Sequence, residues 1–289
     1  MLKTVSFSKK VNIKDGTVML LGGFDGLHAG HKKLVARAKL HGLPIGIMTI
    51  VGGKDEKSLF TLAERERIFR AAGIDFAFEL PFSEIKELPA NTFASVLKGG
   101  FEPKVFVCGD DFRFGKGAQG TPETLARDGQ VRVETEELLT FDGEKISSSA
   151  IKNCLREGDV ERANVLLGEP FFARGKVFKD RGVGKTLGFP TANTVYPEEK
   201  FAPKLGVYET RVRVNGQEYK GITNYGDRPT FAENGVCLET HLLGFDGDLY
   251  GKEITVRFVR RLRDVQKFEN ADRLKAQLNE DVRRVMEND

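Results

Sequence analysis

TVMLLGGFDGLHAGHKKLVARAKLHG, residues 17–42, is the stretch that decides the fold. Thr17–Leu21 is an apolar run of strand length, and Lys32–Gly42 has helical apolar spacing and stops at a glycine. Between them GGFDGLHAGH, Gly22–His31, packs four glycines and two of the chain's four histidines into the turn from strand to helix. Working outward, the alternation repeats. LPIGIMTI (43–50) is another strand-like run, and TLAERERIFRAAG (61–73) is a helix with a capping-box pattern, Thr61 followed by Glu64. IDFAFEL (74–80) and PKVFVCG (103–109) read as strands, and PANTFASVLKGG (89–100) as a short helix. Strands alternating with helices predict a parallel sheet covered on both faces.

The pattern changes near residue 170. FFARGKVFKD, GVYETRVRVNGQEYKGITNYG, CLETHLLGF and KEITVRFVRRL are strand-like pieces joined by turns. An Asn-Gly pair at 215–216 between alternating residues marks a hairpin. ENADRLKAQLNEDVRRVMEND then forms one amphipathic C-terminal helix. The second half therefore reads as an antiparallel barrel with a terminal helix. The boundary falls near Gly168–Pro170, with the helical SSAIKNCLREGDVERANVLLG closing the first domain, which gives domains 1–168 and 169–289. A length of 289 residues suits two domains. The net charge of +3 gives no basis for a nucleic-acid groove or a polybasic membrane patch, but suits local handling of small anions. Three distant cysteines without zinc-like spacing, no signal-peptide core and no bilayer-length apolar run predict a soluble cytoplasmic protein with free thiols.

In a parallel sheet, ligands bind beyond the carboxyl ends of the strands. A helix N-terminus there offers unpaired N–H groups and partial positive charge to a phosphate. His28 and His31 stand at that end, three residues apart, each read as a hydrogen-bond donor to phosphate oxygens. The spacing is neither the dinucleotide fingerprint nor a Walker loop. KISSSAIK, 145–152, offers a second anion site, because serines capping a helix leave hydroxyls and N–H groups free. In the second half, GVGKTLGFPTANT (182–194) joins glycines and a lysine, which suit phosphate, to Thr191 and Asn193, neutral oxygen ligands of the kind that a nucleotide-bound Mg²⁺ accepts.

GGFDGLHAGH resembles the G-x-F-D-G-x-H-x-G-H signature of the nucleotidylyltransferase superfamily, and ISSSAIK its second signature. With GDDFRFGKG, GKTLGFPTAN, NYGDRPTF, ETHLLGF and RLRDVQKF in order, the chain resembles along its whole length the bacterial bifunctional riboflavin kinase/FMN adenylyltransferases, or FAD synthetases. The resemblance implies an N-terminal Rossmann-like adenylyltransferase domain and a C-terminal kinase domain on a six-stranded barrel with a final helix. It implies that riboflavin is phosphorylated to FMN by ATP and that FMN is adenylylated to FAD, with Mg²⁺ or another divalent cation as cofactor. On the adenylyltransferase side it implies ATP contacts from Gly22, Phe24, Asp25, Gly26, His28, Gly30, His31, Ser147, Ser148, Ser149 and Lys152. Flavin contacts there would come from Asp111, Phe112 and Phe114, where the alternative for the phenylalanines is to plug the core. On the kinase side it implies ATP and flavin contacts from Gly182, Gly184, Lys185, Gly188, Pro190, Thr191 and Asn193, the last two also as metal ligands. Glu239 matches the catalytic glutamate that takes the ribityl hydroxyl proton.

Three departures accompany the resemblance. The Phe-x-Pro-His-Pro segment of many members is absent from MTIVGGKDEKSLFTLAER, and Lys152 and Lys185 stand where arginine is usual. Lysine keeps the charge but loses bidentate geometry. Two further readings stand beside the bifunctional one: a riboflavin kinase with an inactive first domain, and a non-catalytic flavin-binding regulator. Neither needs a nucleic-acid or membrane partner.

Overall fold

The computed structural model describes residues 3–6, 13–53, 57–100, 102–127, 129–179, 183–227 and 236–287. The chain divides into two compact units, Met1–Ser148 and Ser149–Asp289. In the first unit β1 (Lys3–Ser6), β2 (Thr17–Leu21), α1 (Ala29–Lys39), β3 (Ile45–Val51), α2 (Leu62–Ala71) and β4 (Phe76–Pro81) follow in order. After them come α3 (Phe82–Ile85), α4 (Ala90–Gly100), β5 (Pro103–Gly109), α5 (Pro122–Ala126), β6 (Arg132–Glu136) and a small hairpin, β7 (Thr140–Phe141) with β8 (Glu144–Lys145). The main strands form one parallel sheet in the order β1-β4-β3-β2-β5-β6.

β2 is buried along its whole length because it lies between two apolar layers. Val18 and Leu20 pack with Leu34, Val35 and Ala38 of α1 and Phe69 of α2. Met19 and Leu21 face the other way, onto Phe93, Ala94 and Leu97 of α4. Gly46 on β3 leaves room for Met19, since a Cβ there would lie 2.1 Å from its sulfur. The capping box on α2 forms as expected, with Thr61 and Glu64 each bonding the other's backbone N–H. From β2 the chain builds β3 and β4 to one side, then returns with β5 to the other. The strand order thus reverses between β2 and β5, where a doubly wound sheet opens a crevice for ligands.

The second unit holds α6 (Ser148–Glu157), whose first residue ends the first unit, then α7 (Val160–Leu167), β9 (Phe172–Lys176), α8 (Val183–Thr186) and β10 (Ala192–Val195). β11 (Gly206–Val214), β12 (Gln217–Asp227), β13 (Val236–Leu242), β14 (Glu253–Arg263) and α9 (Ala271–Met286) complete it. The antiparallel sheet runs β10-β13-β12-β11-β14-β9. Its two edges meet where Phe178 N–H donates to Asn193 O at 3.0 Å, which curls the six strands into a near-closed barrel. Gly175 permits that approach, because a Cβ there would sit 2.7 Å from Thr194 Cβ. The expected hairpin forms at Asn215 (φ +50°) and Gly216 (φ +86°), the two positive φ values that a two-residue loop of this kind requires.

The segment read as one helical stretch closing the first domain is two helices, broken at Gly158 (φ +90°) and capped again by Asp159. Both helices group with the compact unit Ser149–Asp289. The side chain of Asn164 on α7 explains the grouping. It donates to Phe258 O at 2.9 Å and accepts from Phe171 N–H at 2.7 Å, stitching α7 to β14 and to the entry of β9.

α9 packs Val285 against Val207 and Ile222. Asp281, completely buried, accepts from Arg263 at both carboxylate oxygens (3.1 and 2.7 Å) and from Gln277 at 3.0 Å. Removing one partner of a buried ion pair leaves a charge without compensation. Asp281→Ala is therefore expected to lower the stability of the second unit by about 3–5 kcal/mol. Urea denaturation of the full chain measures this, and a loss below about 1 kcal/mol, the scale of an exposed pair, would show that α9 is not anchored there.

Candidate active sites

The glycine turn after β2 is folded around its histidines. His28 caps α1, its Nδ1 accepting from His31 N–H at 3.2 Å. Gly30 keeps the ring free to lie there, for a Cβ would meet it at 3.3 Å. His31 Nδ1 lies 3.0 Å from Gly26 O, and the two imidazoles stack with centroids 3.5 Å apart. Phe24, buried at φ +40°, tilts against His31 at 4.5 Å, and Gly22 gives its ring space. Gly26 (φ +126°) lets the turn press on Phe60. Asp25 is a strut of the same turn, accepting from Leu59 N–H at 2.9 Å.

These bonds assign the tautomers. A lone pair on His28 Nδ1 accepts an N–H, so its proton is on Nε2. A carbonyl oxygen only accepts, so His31 carries its proton on Nδ1 and its Nε2 is bare. Burial, and then the Lys145 ammonium, bring the His28 pKa down to about 4. Burial and the His28 ring hold His31 well below the ordinary histidine value. Both rings are neutral near pH 7. His28 presents an Nε2–H as it stands, whereas His31 presents one only after taking up a proton.

Asp111 follows β5, across the switch point, and is ion-paired with Lys145. Lys145, the first residue of KISSSAIK, was not singled out in the sequence, although its charge acts on both histidines. Phe114 is buried against Phe93 (5.4 Å) and Gly120, so it plugs the core. The half-buried Phe112 stacks on it at 5.6 Å. Ser147 and Ser148 end the first unit, while Ser149 and Lys152 lie on α6 in the second. There the Lys152 ammonium stands over the Phe201 ring at 5.7 Å.

In the second unit, antiparallel register sets Glu239 of β13 directly opposite Asn193 of β10 and Asn224 of β12. Opposed residues share a face, with Cβ atoms about 4.5–5.5 Å apart. Asn193 is buried, and its Oδ1 has no hydrogen-bond partner among the described residues. An amide oxygen left so is a ready ligand for a hard cation. Within 182–194 the chain makes a helical turn, α8. Gly184 receives bonds from Leu187 N–H (3.2 Å) and Phe189 N–H (2.8 Å), and a Cβ on it would lie 2.4 Å from Phe189 O. Thr191 is adjacent, its methyl 3.5 Å from that same point, while Gly188 turns the chain at φ +86° before Pro190. Lys185 belongs to α8, and Gly182 lies outside the described residues, as does Arg228–Phe231 of NYGDRPTF. Asn224 was not marked as a site residue in the sequence; its signal is the strand register alone.

Comparison with known proteins agrees in both units. A family model described as FAD synthetase matches residues 10–150, and one described as riboflavin kinase matches residues 167–288. A Bacillus subtilis bifunctional riboflavin kinase/FMN adenylyltransferase is 36% identical over 284 residues, covering 92% of this chain and 90% of its own. Its Pseudomonas fluorescens counterpart is 34% identical, covering 92% and 91%. A crystal structure from Streptococcus pneumoniae, described as a macrolide-efflux protein, superposes with a TM-score of 0.87 at 31% identity and covers 99% of both chains. In the present chain no helix among the described residues is long and apolar enough to cross a membrane. On the extent of these matches, the chain belongs to the family of bifunctional riboflavin kinase/FMN adenylyltransferases.

Proposed function

We propose that the residues after Gly168 phosphorylate riboflavin to FMN, and that the residues before it adenylylate FMN to FAD, both with ATP. The observation that carries the kinase assignment is the register Asn193–Glu239–Asn224, which sets a carboxylate beside a buried, open amide oxygen. The ribityl hydroxyl is a neutral nucleophile and needs a base. Glu239 takes its proton as the hydroxyl oxygen attacks the γ-phosphorus and ADP leaves. Thr191 and Asn193 fit an ATP-bound Mg²⁺, or another divalent cation. Both are neutral, so the nucleotide phosphates supply the countercharge. When bound, the cation would neutralise charge on the transferring phosphoryl group.

Adenylyl transfer makes no such demand. A phosphate oxygen of FMN, already anionic, attacks the α-phosphorus of ATP and pyrophosphate departs. The site has only to orient the phosphates and stabilise their charge. His28, His31 and Lys145 at the switch point have that character, and Asp111 stands beside them. Three buried, separate thiols suit a reducing cytoplasm. Incubating the purified protein with riboflavin, ATP and Mg²⁺ and separating the flavins tests the whole reading. FMN and FAD together are expected. FMN alone would mean an inactive first unit, and neither product a non-catalytic regulator.

Two sharper outcomes follow from the geometry. An ATP phosphate beside His31 favours its charged form, so the bound-state pKa lies above the depressed free value. The bound state then holds more protons, and His31 tightens binding as pH falls below neutral. ATP affinity measured over that range, in wild type and in His31→Asn, is expected to differ by this slope. The variant is also expected to form FAD roughly tenfold to a hundredfold more slowly, with riboflavin phosphorylation retained. An unchanged slope would remove His31 as the proton acceptor.

Glu239→Gln keeps size and hydrogen-bonding capacity but loses the basic carboxylate. FMN production is expected to fall about 10²–10⁴-fold, with FAD formation from added FMN spared. Wild-type FMN production at saturating substrates would take Glu239 out of the proton transfer.

A further inference from the structure

Glu239 and His241 stand two apart on β13, so both project from one face, and Thr240 between them turns to the other. Thr240 is fully buried and shares a hydrogen bond with the Thr223 hydroxyl at 3.0 Å. The kinase reading employs Glu239 and leaves His241 without a task. Yet His241 makes a specific bond: its Nδ1 lies 2.8 Å from Pro190 O. The carbonyl only accepts, so Nδ1 is the donor. The ring also meets Phe189 edge-on, with centroids 5.4 Å apart.

The place of that bond matters. β10 begins at Ala192. Asn193 is held inside the ladder, paired with Glu239, whereas Thr191 precedes the strand. The chain before it is the tight turn closed on Gly184 O. Pro190 O and Thr191 N belong to one rigid peptide plane, so tying the oxygen orients the plane from which the Thr191 side chain departs.

We propose that His241 is a positioning residue of the kinase site: by donating Nδ1–H to Pro190 O, it sets the Thr191 hydroxyl beside Asn193 Oδ1, where the nucleotide-bound cation is received. This rests on the kinase reading given above. It also accounts for the spacing of Glu-Thr-His in mechanical terms. One strand face carries the base and, one pleat further on, the donor that aligns the ligand pair facing it.

Two substitutions in the full chain separate the hydrogen bond from the packing of the ring. His241→Asn keeps an N–H donor near the Nδ1 position and gives up the ring. His241→Phe keeps a ring against Phe189 and gives up the donor. With riboflavin saturating, the KM for MgATP is expected to rise about fivefold to tenfold in the phenylalanine variant, the effect of one neutral hydrogen bond, and to stay within about threefold of wild type in the asparagine variant. Turnover at saturating MgATP changes little in either. A readout free of catalysis is titration with Mn²⁺ and ADP, followed by electron paramagnetic resonance. The phenylalanine variant is expected to bind the Mn²⁺–ADP complex correspondingly more weakly, and the asparagine variant like wild type. Thermal melting and FAD formation from added FMN report that both units are folded. The proposal is overturned if the phenylalanine variant matches wild type in KM and Mn²⁺–ADP binding while the asparagine variant fails, since the ring alone would then matter. It is overturned equally if both variants lose turnover with KM unchanged. A wild-type chain that binds Mn²⁺–ADP but makes no FMN would refute the kinase reading and leave the positioning test standing on binding alone.

Discussion

The first unit depends on one constraint: β2 is buried on both faces. Val18 and Leu20 meet α1 and α2 while Met19 and Leu21 meet α4, so no polar side chain can serve chemistry from within that strand. Parallel packing sends the polar work to the carboxyl ends, and the reversal of strand order between β2 and β5 opens the crevice there. The glycines of Gly22–His31 follow from the same constraint. The chain must leave a packed strand, turn over Phe60 and enter α1 within a few residues, and a side chain at 26 would collide with Phe60 while one at 30 would crowd His28.

The second unit solves a different problem by different means. Its candidate site lies on the wall of a sheet, on a face it shares with α9, since Val207 stands opposite Asn224 and Val285 packs on Val207 and Ile222. Tyr208 and Thr210 of β11 turn to one side, with Tyr208 edge-on to Phe258 at 5.1 Å and Thr210 bonded to Thr223 at 2.9 Å. Glu239, Asn193 and Asn224 share the opposite side through direct register. A parallel sheet of this kind is covered on both faces, whereas an antiparallel one can leave part of a face to a ligand. The two designs suit the two reactions of the proposed function. A neutral alcohol calls for a base at a defined point, and a strand delivers one side chain per pleat. An anionic nucleophile calls for donors and positive charge, which a helix N-terminus and its turn supply.

Electrostatics in the first unit show how burial reshapes a motif. The histidines are stacked, shielded and close to Lys145, so they stay neutral and distinct from each other instead of forming a pair of cations. The difference between them arises from two backbone bonds, one accepted and one donated. A pair of exposed histidines with the same spacing would lack it.

Much of this was legible in the sequence. Thr17–Leu21 is a strand because an unbroken apolar run of that length has to be buried on both faces. Thr61 and Glu64 announce α2 through reciprocal capping, and Asn215–Gly216 announces a hairpin through the φ values only such residues take readily. These are local devices, and local chemistry suffices to read them. Edge strands were not legible. β1 and β6 have no continuous apolar run, and each is a strand because of the neighbour it pairs with, β4 or β5. β6 even buries a carboxylate, Glu134, which accepts from Arg37 and His41 on or just beyond α1 and is paired with Arg132. The sequence nominated His28, His31, Thr191, Asn193 and Glu239 as site residues. Which histidine nitrogen bears a proton, which strands oppose Glu239, and what holds Pro190 were decided by tertiary structure alone, because each depends on a partner far along the chain or on water being kept out.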